Sequence, residues 1–459
     1  MSGPDTVRNQ RRRRHDRVRR AAFDALRAVN GEGAYANLVL PGLLRERGLT
    51  GRDAAFATEL LAGTCRWQGS YDLIIVAAAG RPLGELQPAV VDLLRLGVHQ
   101  ILSMRVPVPA AVAATVDLAA ATVGERATGV TNAILRRVAD RSLQEWFDEL
   151  SEGLDHLDQL ALRTAHPRWI VEAYADLLPE PELENALGAN NVSPDISLVV
   201  RPGLAEVSDL VNAGARPSRY SPFGARWRGD PAVLALVRDS RAGVQDEGSQ
   251  LVTWALTRSP APPGWWLDLC AGPGGKSALL AGLAAAHDSR LLASDIAPHR
   301  ARLVAAAVRG YAEGGLPPAI VVADVRRPAW RAGTFTRVLA DVPCSGLGAL
   351  RRRPESRWRR GPADVEQLHA LQLALLGSAL DSAQIGGVIG YLTCSPHRRE
   401  TTDVVEETLA LRTDVEVLPA AELLPEVLDA AHGPYLQLWP HRHGTDAMFA
   451  AYLRKIRAY

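Results

Sequence analysis

The sequence predicts three folded parts in succession: an all-α domain, a small α+β module and a larger α/β domain with a mostly parallel sheet. Three observations carry this. Up to about residue 150, apolar residues recur at helical spacing and no stretch is rich in strands. From 151 to 240 the texture is mixed. From 241 to 459 short apolar strands alternate with helices, and one strand runs into a glycine-rich turn.

At 459 residues the chain is too long for one core. Hydrophobic content of 47% and charged content of 22% are ordinary for a globular protein. The 52 Lys+Arg against 51 Asp+Glu leave a net charge of +1, so affinity for nucleic acid must come from local patches. Four scattered cysteines, with no C-x-x-C pair, argue against a disulfide framework or a metal site. Neither a long apolar span nor a signal-peptide pattern is found, so no membrane is expected and the cytoplasm is.

Residues 1–17 read as a basic disordered tail whose run Arg11–Arg14 suits phosphate or plain solvation. Residues 18–150 form the all-α domain. Helices are expected around Ala21–Val29 and Leu38–Leu44, then at Ala54–Trp67, Leu86–Leu102, Val112–Ala121 and Gly129–Ala139. Breaks fall at Gly80-Arg81-Pro82 and Val106-Pro107-Val108-Pro109. Arg66-Trp67 and Arg136-Arg137 could touch RNA, although helix-surface arginines are more often only solvated.

The module at 151–240 is expected to help hold substrate. A helix opens at His166-Pro167-Arg168-Trp169, another lies within Pro179–Asn191, and Ile196–Arg201 alternates like a strand. Leu210-Val211 and Val233–Leu236 supply further apolar edges. In Gly243–Gln250 the acidic residues are either a helix cap and first-turn pair or ligand contacts.

Residues 241–459 hold the glycine turn Asp268-Leu269-Cys270-Ala271-Gly272-Pro273-Gly274-Gly275-Lys276-Ser277. A P-loop would need glycine where Cys270 stands, and the dinucleotide fingerprint G-x-G-x-x-G has a different spacing. What remains is the Gly-Pro-Gly-Gly form usual for S-adenosylmethionine (SAM), between a strand and a helix N-terminus. Later strands end at Asp295, Asp324, Asp341 and Cys394, the edge where open α/β sheets bind ligands. Asp295, about 20 residues past the turn, suits the ribose hydroxyls. Asp324 suits the adenine side.

Two cysteines at the rim of a SAM site, Cys344 in Asp341-Val342-Pro343-Cys344 and Cys394 in Thr393-Cys394-Ser395, point to pyrimidine C5 methylation. Carbon 5 of cytosine is a poor nucleophile until a thiolate adds to C6. Chemistry alone leaves open which cysteine attacks. Cys65 and Cys270 read as small packed hydrophobes. Arg351–Arg353, Arg357, Arg359 and Arg360, with Trp358 among them, form the densest positive run of this domain. They are expected to contact RNA, a solvated helix face being the alternative. The target base should be flipped or single-stranded.

These motifs resemble the RNA 5-methylcytosine methyltransferases: Asp-Val-Pro-Cys-Ser-Gly-Leu-Gly, Arg-Arg-Pro-Glu, Thr-Cys-Ser and Cys-Ala-Gly-Pro-Gly-Gly-Lys-Ser. Leu61–Trp67 and Thr131–Arg137 resemble the NusB RNA-binding domain. The resemblance covers nearly the whole chain. It implies a NusB-like domain before a Rossmann-like SAM-dependent methyltransferase domain, and ribosomal RNA, the 16S RNA of the small subunit, as substrate. It implies Cys394 as nucleophile and Cys344 as the base-like thiol that releases product. It also implies SAM contacts from Cys270, Ala271, Gly272, Pro273, Gly274, Gly275, Lys276, Asp295, Asp324 and Asp341, with Asp341 and Lys276 near the target base. Two departures stand out: Thr401 follows Glu400 where the family has Asn, and Ala447-Met448 follows Asp446 where it has Gly-Phe. Methylation of a tRNA or another rRNA site, and a non-catalytic RNA-binding factor on a SAM fold, are the competing readings.

Overall fold

The computed structural model describes residues 16–312 and 317–459. The run Arg11–Arg14 lies outside the described residues. Two compact units are present, Met1–Glu172 with Arg352–Arg359, and Ala173–Arg351 with Arg360–Tyr459. No described helix is long and apolar enough to cross a membrane.

The first unit is helical: α1 (Arg17–Glu32), α2 (Ala36–Glu46), α3 (Gly51–Ala79), α4 (Pro88–Leu102), α5 (Val108–Thr122), α6 (Arg126–Ala139), α7 (Leu143–Leu150), α8 (His156–Thr164) and α9 (Arg168–Ala175), within which the unit ends. Leu26, Leu60, Ile74, Leu94 and Leu135 share its buried core. Side-chain caps start several helices: Asp16 accepts from Arg19 N, and Ser142 with Glu145 forms a capping box. α5 begins inside the expected break at Val106–Pro109, because proline in a first turn forgoes an N–H that has no partner there anyway. α3 runs on past the expected stop at Trp67. Gly69, which resembles a breaker, is a packing glycine: a Cβ there would lie 2.3 Å from the Trp358 indole.

That contact corrects the expectation for the arginine run. Trp358 is not a stacking surface for bases, since its Nε1 donates to Cys65 O at 2.7 Å. Arg357 is fully buried and donates to Ala165 O at 2.8 Å. Arg359 donates to Gly33 O at 3.0 Å, and Arg353 and Arg359 both lie over the Tyr35 ring. Arg352 and Arg360 remain exposed. Guanidinium and indole donors satisfy carbonyls that water would otherwise hold, and composition does not distinguish that use from an RNA patch. Arg66 is buried too, and Trp67 stacks near Tyr71 and Phe147.

The second unit holds two sheets. Strands β1 (Ile196–Val200), β2 (Arg216–Pro217), β3 (Gly224–Trp227) and β4 (Ala242–Val244) form an antiparallel sheet in the order β2-β3-β1-β4. The expected apolar edges are not strands. Leu210-Val211 belongs to helix α11 (Val207–Asn212), after α10 (Glu180–Ala189), and Val233–Leu236 runs from the end of a 3-10 turn (Pro231–Val233) into α12 (Ala235–Arg238). Two to four apolar residues carry no period, so strand and short helix look alike in sequence.

The larger sheet contains β5 (Trp265–Asp268), β6 (Arg290–Asp295), β7 (Ala319–Val322), β8 (Phe335–Asp341), β9 (Ala383–Thr393), β10 (Val415–Leu418), β11 (Ala431–His432), β12 (Tyr435–Gln437) and β13 (Phe449–Lys455). Its order is β11-β12-β13-β9-β8-β5-β6-β7, with β10 also on β13. β5 to β9 pair in parallel, and β13 closes antiparallel on β9 and β12. Around it lie α13 (Glu247–Arg258), α14 (Gly275–Ala285), α15 (Pro298–Ala307), α16 (Arg309–Ala312), α17 (Pro362–Ser382), α18 (Thr402–Leu411) and α19 (Pro440–His443).

Alternation along the strands divides two cores. Trp266, Leu339, Val388 and Leu392 pack with Leu251, Leu256 and Leu279, from α13 and α14. Leu267, Val338, Ile389 and Tyr391 pack with Leu376 and Val404, from α17 and α18. Both faces of the parallel strands are therefore covered. After β7 the chain crosses to the other side of β5 and continues with β8. The β5–β8 boundary is a topological switch point, where the strand carboxyl ends open a crevice.

Candidate active site

The glycine turn leaves β5 at this crevice and enters α14. Gly274 takes φ +107° as the residue before the helix, which only glycine adopts readily. A Cβ on Gly272 would stand 2.5 Å from Asp295 Oδ2 and 2.6 Å from Arg300 Nε. Ala271 N donates to Ser294 O at 2.8 Å, which pins the turn to the end of β6.

Asp295 is buried at the end of β6 and accepts from Gly272 N at 3.0 Å and Ala297 N at 2.9 Å. With Cys270, Ile296, Asp324 and Leu375 it lines a cavity of about 200 Å³. Asp324 is held in a fork by Arg326, which brings its carboxyl down to about 2. Cys270 lines the cavity wall, and burial pushes its thiol up. Asp268, beneath the turn, accepts from Ser277 Oγ at 2.6 Å, while its buried Oδ1 has no partner. Burial pushes Asp268 up to about 7.

β8 and β9 bring the two sulfurs together: Cys344 Sγ lies 3.3 Å from Cys394 Sγ, and both side chains are partly exposed. The bond from Cys344 draws Cys394 below the ordinary thiol range; burial opposes this and the Lys276 ammonium assists. Cys344 is pushed well up, by the same bond first and by burial next. The Cys394 thiol is thus the more readily ionised of the pair. Lys276 Nζ meets Asp341 Oδ2 at 2.8 Å, and that carboxylate raises the ammonium against the opposing effect of burial. Lys276, Asp341, Cys344 and Cys394 thus meet at one rim, with Cys270, Asp295 and Asp324 around the cavity.

Several supports of this rim went unread in the sequence. Glu400 is fully buried and accepts from Ser345 N at 2.7 Å and Ser345 Oγ at 2.5 Å, fixing the residue after Cys344. Ser345 Oγ also meets Ser395 Oγ at 3.1 Å. Thr401, the departure beside Glu400, turns its hydroxyl back to His397 O. Arg351 lies between two buried carboxylates, Asp246 Oδ1 at 2.9 Å and Asp446 Oδ1 at 3.0 Å. It is structural, not free for RNA. Asp246 also caps α13 through Gly248 N, which favours the helix-cap reading of that segment. Gly348 N donates to Cys394 O, and a Cβ on Gly348 would come within 1.9 Å of Ala447 O. The only sequence signals for these supports were a glycine and several acids close to the cysteine motifs.

Residues 255–454 match the family described as 16S rRNA methyltransferase RsmB/F, and residues 16–140 match the NusB family. Ribosomal RNA small subunit methyltransferase B of Pseudomonas putida is 33% identical over 470 residues, covering 96% of this chain and 99% of that protein. The chain belongs to the RsmB/F methyltransferase family. A Mycobacterium tuberculosis relative is 49% identical over 458 residues, 98% of this chain and 99% of its own length. Among solved structures, PH0851 shares the fold with a TM-score of 0.80 at 22% identity, over 96% of this chain and 98% of that one. The first unit accordingly carries the NusB domain of this RsmB/F protein, and the second its Rossmann-like methyltransferase domain.

The residues fit the cofactor that such an enzyme uses. The Gly272 turn leaves no room for a side chain, and Asp295 and Asp324 share one cavity with Cys270 of that turn.

Proposed function

We propose that this RsmB/F protein methylates carbon 5 of a cytosine in the 16S RNA of the small ribosomal subunit, through a covalent adduct of Cys394 with C6. The observation that carries this reading is the sulfur pair at the cofactor rim, Cys344 Sγ and Cys394 Sγ 3.3 Å apart, with Cys394 drawn down and Cys344 pushed up. Names of relatives support the RNA, since the Pseudomonas putida protein is a small-subunit methyltransferase. Asp295 would hold the ribose hydroxyls of SAM, Asp324 the adenine side, and the turn from Cys270 to Lys276 the remainder. SAM supplies an electrophilic methyl group.

The Cys394 thiolate adds to C6, forming the S–C6 bond and pushing the electron pair of the C5–C6 double bond onto C5. Lys276 and Asp341 stand at the rim to orient the base. Once C5 carries the methyl group, its proton must leave before the S–C6 bond breaks and the thiolate returns. Cys344 takes that proton after giving up its own to solvent. A scaffold that only binds RNA needs neither the sulfur pair nor the strand-end carboxylates.

Bisulfite sequencing of 16S RNA from a strain lacking this protein tests the reading. One cytosine should lose protection, wild-type protein should restore it, and Cys394→Ala should not. No change at any 16S cytosine would overturn the substrate.

A further inference from the structure

Cys344 is held on both sides by one buried group. Before it, Pro343 O accepts from Gln372 Nε2 of α17 at 2.8 Å. After it, Ser345 N and Ser345 Oγ both donate to Glu400, in the 3-10 turn Arg398–Glu400 that follows β9. Gln372 Nε2 also reaches Glu400 Oε1 at 3.2 Å, which joins the two holds. The same carboxylate governs the other cysteine loop. Ser345 Oγ lies 3.1 Å from Ser395 Oγ, and His397 N donates to Ser395 Oγ at 3.2 Å. A carboxylate only accepts, so the Ser345 hydroxyl points at Glu400 and its oxygen is left to accept from Ser395. The chain therefore runs one way, from His397 N through Ser395 and Ser345 to Glu400. It joins the residue after Cys394 to the residue after Cys344. Neutral groups could tie two loops at lower cost, because a fully buried carboxylate has lost its hydration.

We propose that Glu400 is the positioning residue of the sulfur pair, the buried acceptor that holds the loops after β8 and β9 so that Cys344 Sγ can bond Cys394 Sγ. This rests on the thiol reading given above, in which Cys394 attacks. Glu400 is fully buried and acts through Ser345. Its negative charge is also among the influences that push Cys344 up, whereas the leading influence on Cys394 is the bond from Cys344. Glu400 thereby helps to keep the two thiols unlike, with Cys394 the more readily ionised.

The test is the rate of Cys394 alkylation by iodoacetamide against pH, with the modified cysteine identified by peptide mass spectrometry. It uses the full-length protein without RNA or cofactor. Glu400→Gln keeps the shape but offers one acceptor where Ser345 presents two donors. Its Cys394 profile should move up by about one pH unit, which is an about tenfold slower rate at a fixed lower pH. In the Cys344→Ala background Glu400→Gln should add no further shift, because the bond it positions is already gone. Ser345→Ala should reproduce the shift, and combined with Glu400→Gln should exceed neither single change. Three results overturn the proposal: an unchanged profile in folded Glu400→Gln, a shift to lower pH as a bare charge effect would give, or an equal shift in the Cys344→Ala background. The thiol reading fails separately, by methyl transfer that survives Cys394→Ala. Should Glu400→Gln not fold by thermal melting, Ser345→Ala carries the same test.

Discussion

Cys344 Sγ and Cys394 Sγ stand 3.3 Å apart across the neighbouring strands β8 and β9, and the bond between them draws Cys394 below the ordinary thiol range. Removing Cys344 removes the largest influence that lowers Cys394. The rate of Cys394 alkylation in Cys344→Ala should therefore rise with pH later than in wild type. With RNA and SAM, Cys344→Ala should accumulate a methylated RNA–protein adduct that survives denaturing electrophoresis. Cys394→Ala should form no adduct and transfer no methyl group. An adduct that accumulates with Cys394→Ala instead would reverse the roles.

Asp295 accepts two backbone N–H bonds, from Gly272 and Ala297, so it shapes the turn besides the ribose contact proposed for it. Asp295→Asn should weaken SAM about ten- to a hundredfold, since a charge-assisted hydrogen bond is worth about 1.5–3 kcal/mol. Calorimetry on the folded variant measures it, and unchanged affinity would remove Asp295 from the site.

The strand ends were legible because glycine, aspartate and cysteine each fell just past a short apolar run, and β5 to β9 confirm those strand positions. Tertiary use of the basic residues was not legible. Arg357 and Arg351 look alike in sequence, yet one satisfies a carbonyl and the other two carboxylates. Glu400 escaped notice for the same reason: a buried acceptor is defined by its donors, which come from residues far along the chain. The short helices at Val207–Asn212 and Ala235–Arg238 had too few residues to show a period.

Asp268 gives the protein a pH-dependent stability. Its folded carboxyl lies at about 7 against an ordinary value of 3.8, because burial disfavours the charge. A raised carboxyl means that the folded state holds the proton more tightly. The contribution is fully present below about 3.8 and is lost as pH rises through 7. Asp268→Asn does not titrate, so its stability relative to wild type should grow between pH 4 and pH 8, by a few kcal/mol at most. Denaturant melts without ligand at several pH values measure this, and a gap that stays constant would refute it.

Arg351 separates a structural role from an RNA contact. Its guanidinium bridges Asp246 and Asp446, both buried, and so ties the start of α13 to the loop before β13. Arg351→Met would remove the cation that bridges two buried carboxylates, a loss of about 3–5 kcal/mol when one partner of a buried pair is removed. Neutralising one of those carboxylates should recover part of it, so Arg351→Met with Asp446→Asn should be less destabilised than the two single losses added together. A phosphate-contact role predicts the opposite pattern, with stability unchanged, RNA affinity reduced, and the salt dependence of binding shallower by about one ion. Unfolding curves and RNA titrations at fixed salt on the same three variants decide between them. Stability should fall while the RNA affinity of the folded fraction stays constant.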